Sequence, residues 1–179
     1  MGSREAKFLT LKGHGKGEFV VLTADDGSEN NGCGDFMIDR EDFRVLAEMV
    51  GRSEDELRRF LQEFRRRGLI YVKSDDNDRR IVKIKMLYFV TLPPTLGRLE
   101  SLIHLEISSS GITTVPPSIG QLRNLRFLIL KSTYELEELP NEIGDLANLN
   151  TLVLNQNRIK SKIETVKLFF IVCKILLPF

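Results

Sequence analysis

The order of apolar and polar positions changes twice along the chain. Between residues 39 and 67 the period is helical. Phe43, Leu46, Ala47 and Val50 recur at i, i+3, i+4 and i+7, which puts them on one face of a helix. Asp39 precedes them as an N-cap, Asp42 supplies an acidic third position, and Gly51 closes the helix. Ser53-Glu54-Asp55-Glu56 spells a capping box. Leu57, Phe60, Leu61 and Phe64 repeat the helical spacing behind it, up to Gly68. The stretch "LIYVKSDDNDRRIVKIK" from residue 69 then reads as two strands joined by a polar, acidic turn. Residues 1–35 are less defined. There "GEFVVLTADD" suits a first helix or a strand, and "GSENNGCG" suits a loop.

From residue 91 onward the pattern repeats. "TLPPTLGRLESLIHLEI", "TVPPSIGQLRNLRFLIL" and "ELPNEIGDLANLNTLVL" align on Leu92, Val115 and Leu139, at intervals of 23 and 24. Gly97, Gly120 and Gly144 agree, and so do Leu99, Leu122 and Leu146, then Leu102, Leu125 and Leu149. The pairs Leu105 and Ile107, Leu128 and Leu130, Leu152 and Leu154 alternate with period two, so each marks a short strand with one buried face. Ile112, Leu136 and Ile159 return to the same core. Each unit is one coil. A single coil cannot bury its leucines, but stacked coils bury a continuous column. In this reading the glycines let the backbone turn tightly where each return segment begins.

These coils resemble the short intracellular leucine-rich repeats, written "LPxxIGxLxxLxxLxLxxNxI", over residues 82–160. The resemblance implies a solenoid with a parallel sheet and a concave strand face, used as a recognition scaffold. It also implies an Asn ladder after the strands, at positions that here hold Ser110, Thr133 and Asn157. Counting back 23 residues, Val82, Ile84, Phe89 and Leu92 fall on Leu105, Ile107, Ile112 and Val115. That predicts a degenerate coil whose strand is also the second strand of the hairpin. Such a strand pairs antiparallel with residues 69–73 on one edge and parallel with residues 104–108 on the other.

The order helix, turn, helix, hairpin over residues 36–85 resembles a winged-helix module. The fold class expected is therefore α/β: a short leucine-rich-repeat solenoid preceded by a winged-helix-like α+β cap. The apolar tail, residues 161–179, has no Gly, and its Leu177-Pro178 lies out of the repeat register, so it is read as a cap over the stack or a truncation. Lys167 and Lys174 bracket too few apolar residues there for a membrane span.

Composition narrows the function classes. The 179 residues are 42% apolar and 28% charged with a net charge of +1, so no global field draws the chain to nucleic acid or lipid. Two distant cysteines, Cys33 and Cys173, argue against a disulfide framework or a metal cluster. The N-terminus has no long apolar run, and Ala6 stands where a myristoylation site wants Ser or Thr. A cytoplasmic location follows, with the nucleus as the alternative. His14 in "GHGKGE" lacks the Gly-Lys-Ser/Thr of a phosphate loop. No nucleophile, base or metal constellation emerges, so neither an enzyme nor a cofactor is expected.

What remains is a protein-binding surface on the outward strand positions: His104, Phe127 and Thr151; Glu106, Ile129 and Val153; Lys131 and Asn155 alongside Ser108. Ile81, Lys83 and Lys85 extend these columns into the degenerate coil. His104 is expected there as an exposed surface histidine. The alternative is a nucleic-acid-linked regulator contacting DNA through Arg58, Arg59, Arg65 and Arg66 of the second helix and Lys73 of the wing. Against it stand Glu54, Asp55 and Glu56 at that helix's start and Asp75, Asp76 and Asp78 at the wing tip, which phosphates repel.

Overall fold

A computed structural model describes residues 10–12, 18–22, 36–57, 60–61, 70–75, 79–88, 91–159 and 174–176. Strands β1 (Thr10–Lys12), β2 (Glu18–Leu22) and β3 (Phe36–Asp39) form an antiparallel sheet in that order. The segment open to helix or strand is thus a strand in its first half. Helix α1 (Arg40–Met49) begins on Asp39, whose Oδ1 accepts from the backbone N–H groups of Glu41 and Asp42. It ends at Val50 with Gly51 at φ +62, the left-handed conformation that a glycine adopts without strain.

Residues 54–57 and 60–61 are helical as well. The capping box at their start is formed: Ser53 Oγ accepts from Glu56 N–H at 3.3 Å, and Ser53 N–H donates to Glu56 Oε2 at 3.1 Å. Leu57 and Leu61 are buried with α1's Phe43, Leu46 and Met49 in one core.

The second sheet has six strands in chain order: β4 (Ile70–Ser74), β5 (Ile81–Leu87), β6 (His104–Ser108), β7 (Phe127–Lys131), β8 (Thr151–Asn155) and β9 (Lys174–Leu176). β5 is the shared strand. It pairs antiparallel with β4 and parallel with β6, and every pair from β5 to β9 is parallel. Hairpin and coils therefore stack on one core, where Ile84, Leu105, Leu128 and Leu152 lie in register.

The register of β5 differs from the expectation. Ile84 pairs with Leu105 and Met86 with Ile107, so the buried pair is Ile84 and Met86, not Val82 and Ile84. β5 meets β6 at an interval of 21 residues instead of 23, and a bulge on its other edge adds to the change. Lys73 pairs with Lys83 but Ser74 with Ile81, so Val82 is an extra residue that breaks the alternation. Ile81, expected outward, is turned into the core and is fully buried. Val82's carbonyl instead accepts from Ile103 N–H at 2.9 Å, a bond that helps seat the first coil. Phe89 lies outside the described residues.

Each coil closes the same way. A 3-10 turn follows the prolines, at Pro94–Arg98, Pro117–Gln121 and Asn141–Asp145. After each of β5 to β8 stands one non-glycine residue at positive φ: Tyr88, Ser109, Ser132 and Gln156. The N–H of each of the first three donates to the last residue of the next strand, at Ser108, Lys131 and Asn155. The expected ladder positions behind them are inward: Ser110 and Thr133 are buried, and Asn157 Oδ1 accepts from Ile159 N–H. Among the described residues, Thr133 Oγ1 and Asn157 Nδ2 are buried without a hydrogen-bond partner.

The repeat glycines do something other than turn. They lie within the 3-10 segments, where neighbouring coils come close. A Cβ on Gly120 would sit 2.7 Å from the Glu142 carbonyl oxygen, and one on Gly97 2.7 Å from that of Ser118. At Gly144 a Cβ meets nothing within 4 Å among the described residues. Gly120→Ala should therefore cost about 1–3 kcal/mol through overpacking, while Gly144→Ala should stay within about 0.5 kcal/mol. Urea midpoints of the two variants check this; equal losses would return the glycines to a turn role.

The N-terminal helices are tied to the first coil. Thr91 N–H donates to the Met49 carbonyl at 2.7 Å and its hydroxyl donates to the Glu48 and Met49 carbonyls, so one residue of the coil caps the C-terminus of α1. At the other end of α1, Asp42 is completely buried. Its Oδ2 accepts from Ile81 N–H at 2.6 Å and from Arg80 Nε at 3.1 Å, and Arg80 Nη2 lies 2.8 Å from Oδ1. Arg80 Nη2 also donates to the Arg98 carbonyl at 2.7 Å. Helix, hairpin and first coil meet at this one carboxylate.

Candidate functional site

The outward positions of the six-stranded sheet form three columns. Pairing aligns Lys73, Lys83, His104, Phe127 and Thr151 in one; Tyr71, Lys85, Glu106, Ile129 and Val153 in the next; Leu87, Ser108, Lys131 and Asn155 in the third. Parallel pairing in register puts these side chains about 4.8 Å apart from strand to strand. At the interval of 21 residues between β5 and β6, Lys83 stands beside His104 and Lys85 beside Glu106. The columns thus extend through Lys83 and Lys85 but not through Ile81, and they continue onto the hairpin at Tyr71 and Lys73.

Glu106 occupies the centre. Lys85 Nζ is 2.6 Å from its Oε2, Lys131 Nζ 3.7 Å from its Oε1, and His104 Nε2 3.3 Å from Oε2. Burial favours the neutral carboxyl, but the bonds from Lys85 and His104 and the charge of Lys131 outweigh it and hold Glu106 below the usual glutamate range. Glu106 is therefore ionised at neutral pH. His104 is only partly exposed, not the open surface histidine expected. Burial, helped by the charges of Lys83 and Lys85, holds it below its ordinary value against the pull of Glu106, so it is neutral at pH 7. Its ring packs against Phe127 with centroids 5.5 Å apart and planes at 34°.

The apolar side of the face is smaller than the sequence suggests. Phe127 is 36% exposed and Ile129 half-buried, but Val153 is only 6% exposed. Val153 belongs to β8, whose outer edge is paired: Thr151, Leu152 and Val153 align with Lys174, Ile175 and Leu176 of β9. That pairing continues the repeat interval of 23 into a tail that has Lys162 and Lys167 where the preceding coil has Leu139 and Gly144. Thr151, Lys131 and Asn155 are half-buried on the rim of the face.

The sequence did not point to the share that β4 takes in this surface. Tyr71 is 49% exposed, Lys83 Nζ stands 5.6 Å from its ring centroid, and Lys73 is exposed. The signal available was the period-two alternation of Tyr71 and Lys73 in a strand predicted to join the sheet. Of the nucleic-acid candidates, Lys73 lies on this same face. Arg58, Arg59, Arg65 and Arg66 lie outside the described residues. Glu54, in the helical residues 54–57, is held from α1, by Arg44 Nε at 3.2 Å and Arg40 Nε at 3.8 Å.

A shallow depression of about 1200 Å³ lies on the opposite side, along the 3-10 turns between Gly97 and Asn148. Among the described residues no group of three His, Cys, Asp or Glu side chains is placed to hold a metal ion, and no helix is long and apolar enough to cross a membrane. His14, Cys33 and Cys173 lie outside the described residues.

No protein-family model matches the chain, and no curated protein sequence does. Among solved structures it is similar to the leucine-rich-repeat protein LIC12759 of Leptospira interrogans, with 32% identity over 52% of this chain and a TM-score of 0.45. The chain spans 23% of the length of that protein. It is also similar to the leucine-rich-repeat ectodomain of the receptor kinase SOBIR1 from Arabidopsis thaliana, with 21% identity, 77% of this chain and 91% of that one covered, and a TM-score of 0.40.

Proposed function

We propose that the chain is a protein-interaction scaffold whose partner lies across the outward face of the six-stranded sheet. The observation that carries this reading is the in-register column Lys83, His104, Phe127, which sets a partly exposed aromatic ring on a rigid support beside ionised side chains. Aromatic anchors ringed by polar groups dominate binding energy at protein interfaces. His104, Glu106, Phe127, Ile129, Lys131, Thr151 and Asn155 form this site, with Val153 contributing little surface.

The winged-helix-like unit of residues 36–85 serves in this proposal as the cap of the solenoid. The shared strand β5 and the Asp42 clamp support that role, since both commit the module's polar groups to the first coil. The nucleic-acid reading draws no support from Glu54, which remains at the start of the second helix and is occupied by α1.

Phe127→Ala should weaken partner binding by more than about 1 kcal/mol and leave the urea midpoint nearly unchanged, because the ring packs on His104 at the surface. Affinity capture with the intact chain and with this variant, followed by titration of the recovered protein, measures the difference. A partner retained undiminished by the variant removes the site. Duplex DNA titrated against the full chain at rising salt tests the alternative, whose mark is an affinity that falls steeply with salt.

A further inference from the structure

Charge is distributed unevenly on the sheet face. Glu106 neutralises part of Lys85 and Lys131, at 2.6 and 3.7 Å. Lys83 lies over the Tyr71 ring and Lys73 is exposed, and neither has a carboxylate partner among the described residues. The hairpin end of the face is therefore cationic and aromatic. The β7 end is apolar, with Phe127 and Ile129.

Resting on the scaffold reading above, we infer that the partner is an extended acidic protein segment that crosses the strands. Its carboxylates meet Lys73 and Lys83, and an apolar side chain packs on Phe127. The spacing follows from the sheet. Lys83 and Phe127 are two strands apart in one column, which is about 10 Å, or about three residues of extended chain. The segment thus carries its apolar anchor about three positions from its carboxylates. A nucleic acid fits less well, because a uniform run of phosphates crossing the same column passes the ionised Glu106 and ends on Phe127. Only a ligand with its charge confined to one end satisfies both halves.

Random twelve-residue peptides displayed for selection on the immobilised full-length chain test this. The expected result is enrichment of peptides with adjacent carboxylates and an apolar residue about three positions away. The selected peptides should bind about tenfold more weakly to Lys83→Glu and to Lys73→Glu. They should bind several-fold more tightly to Glu106→Gln, which releases Lys85 and Lys131. Neutral or basic peptides that are still lost on Phe127→Ala would overturn this inference and leave the scaffold reading standing. Peptides indifferent to Phe127→Ala, or no selected peptide at all, would overturn both. A single-stranded oligonucleotide of equal length that binds more tightly than the selected peptides would overturn it in favour of nucleic acid.

Discussion

A chain that begins at residue 87 should aggregate, with the repeats unable to fold cooperatively by themselves. Removing the hairpin uncovers the ladder edge of β6, whose N–H and C=O groups now pair with Lys83 to Leu87. It also uncovers the first layer of the coil. Leu96, Leu99, Leu102, Leu105 and Ile107 are all completely buried. If each loses half its burial, the five together lose on the order of 5 kcal/mol, comparable to the whole stability of a small domain. The freed edge is flat and apolar on one side, the arrangement that templates pairing with a second chain. Light scattering of the truncated and full-length proteins at matched concentration reads the effect. Soluble repeats with a single sharp urea transition would show that hairpin and coils are independent domains.

Asp42→Ala should cost about 3–5 kcal/mol, because it removes the acceptor of the buried Ile81 N–H and the carboxylate partner of Arg80. Asp42→Asn should behave differently, since an amide oxygen still accepts from Ile81. Burial pushes the Asp42 carboxyl up to about 6, against the pull of the Ile81 N–H and of Arg80. The folded protein therefore holds this proton more tightly than the unfolded chain, whose aspartates titrate near 4. Its contribution to stability is complete below about pH 4 and is lost as pH rises through about 6, a change of order 3 kcal/mol. That sense is opposite to the carboxylates that drive acid unfolding. The difference in stability between wild type and Asp42→Asn should shift in favour of the variant between pH 4 and pH 7. A difference that does not move with pH would mean that the carboxyl titrates normally.

The coils were legible because their information is local. Leu128 and Leu130 flank Ile129 in every conformation of an extended chain, so alternation alone turns them inward and sends Phe127 and Ile129 outward. The helix starts were legible for the same reason. Asp39 and Ser53 bond to N–H groups two or three residues away, and that distance is set by helix geometry alone. Most of the candidate face followed directly, since His104, Glu106, Phe127 and Lys131 are simply the other half of each alternation. Even the double use of β5 could be inferred, because one stretch satisfied both a hairpin and a repeat.

Only the tertiary structure decided the rest, and in each case the partner is distant in sequence. Val82 is bulged because Ser74 pairs with Ile81 across the hairpin, and β5 meets β6 two residues off the repeat interval, which puts Lys83 and Lys85 beside His104 and Glu106. Asp42 reads locally as an ordinary first-turn carboxylate; its burial comes from Arg80 and Ile81, 38 and 39 residues later. Gly120 is needed because Glu142 of the next coil approaches it. Tyr88, Ser109, Ser132 and Gln156 take a left-handed backbone with none of the Gly or Asn that would announce it. The adjoining strand imposes it on the first three by accepting the N–H that this conformation turns outward. Lys174–Leu176 joins the sheet although Lys162 and Lys167 stand where a repeat has Leu and Gly, because an open strand edge selects any segment that can extend beside it. A periodic pattern records which side of an element is apolar; the contacts that fix register, burial of charge and backbone strain form only when elements far apart in the chain are brought together.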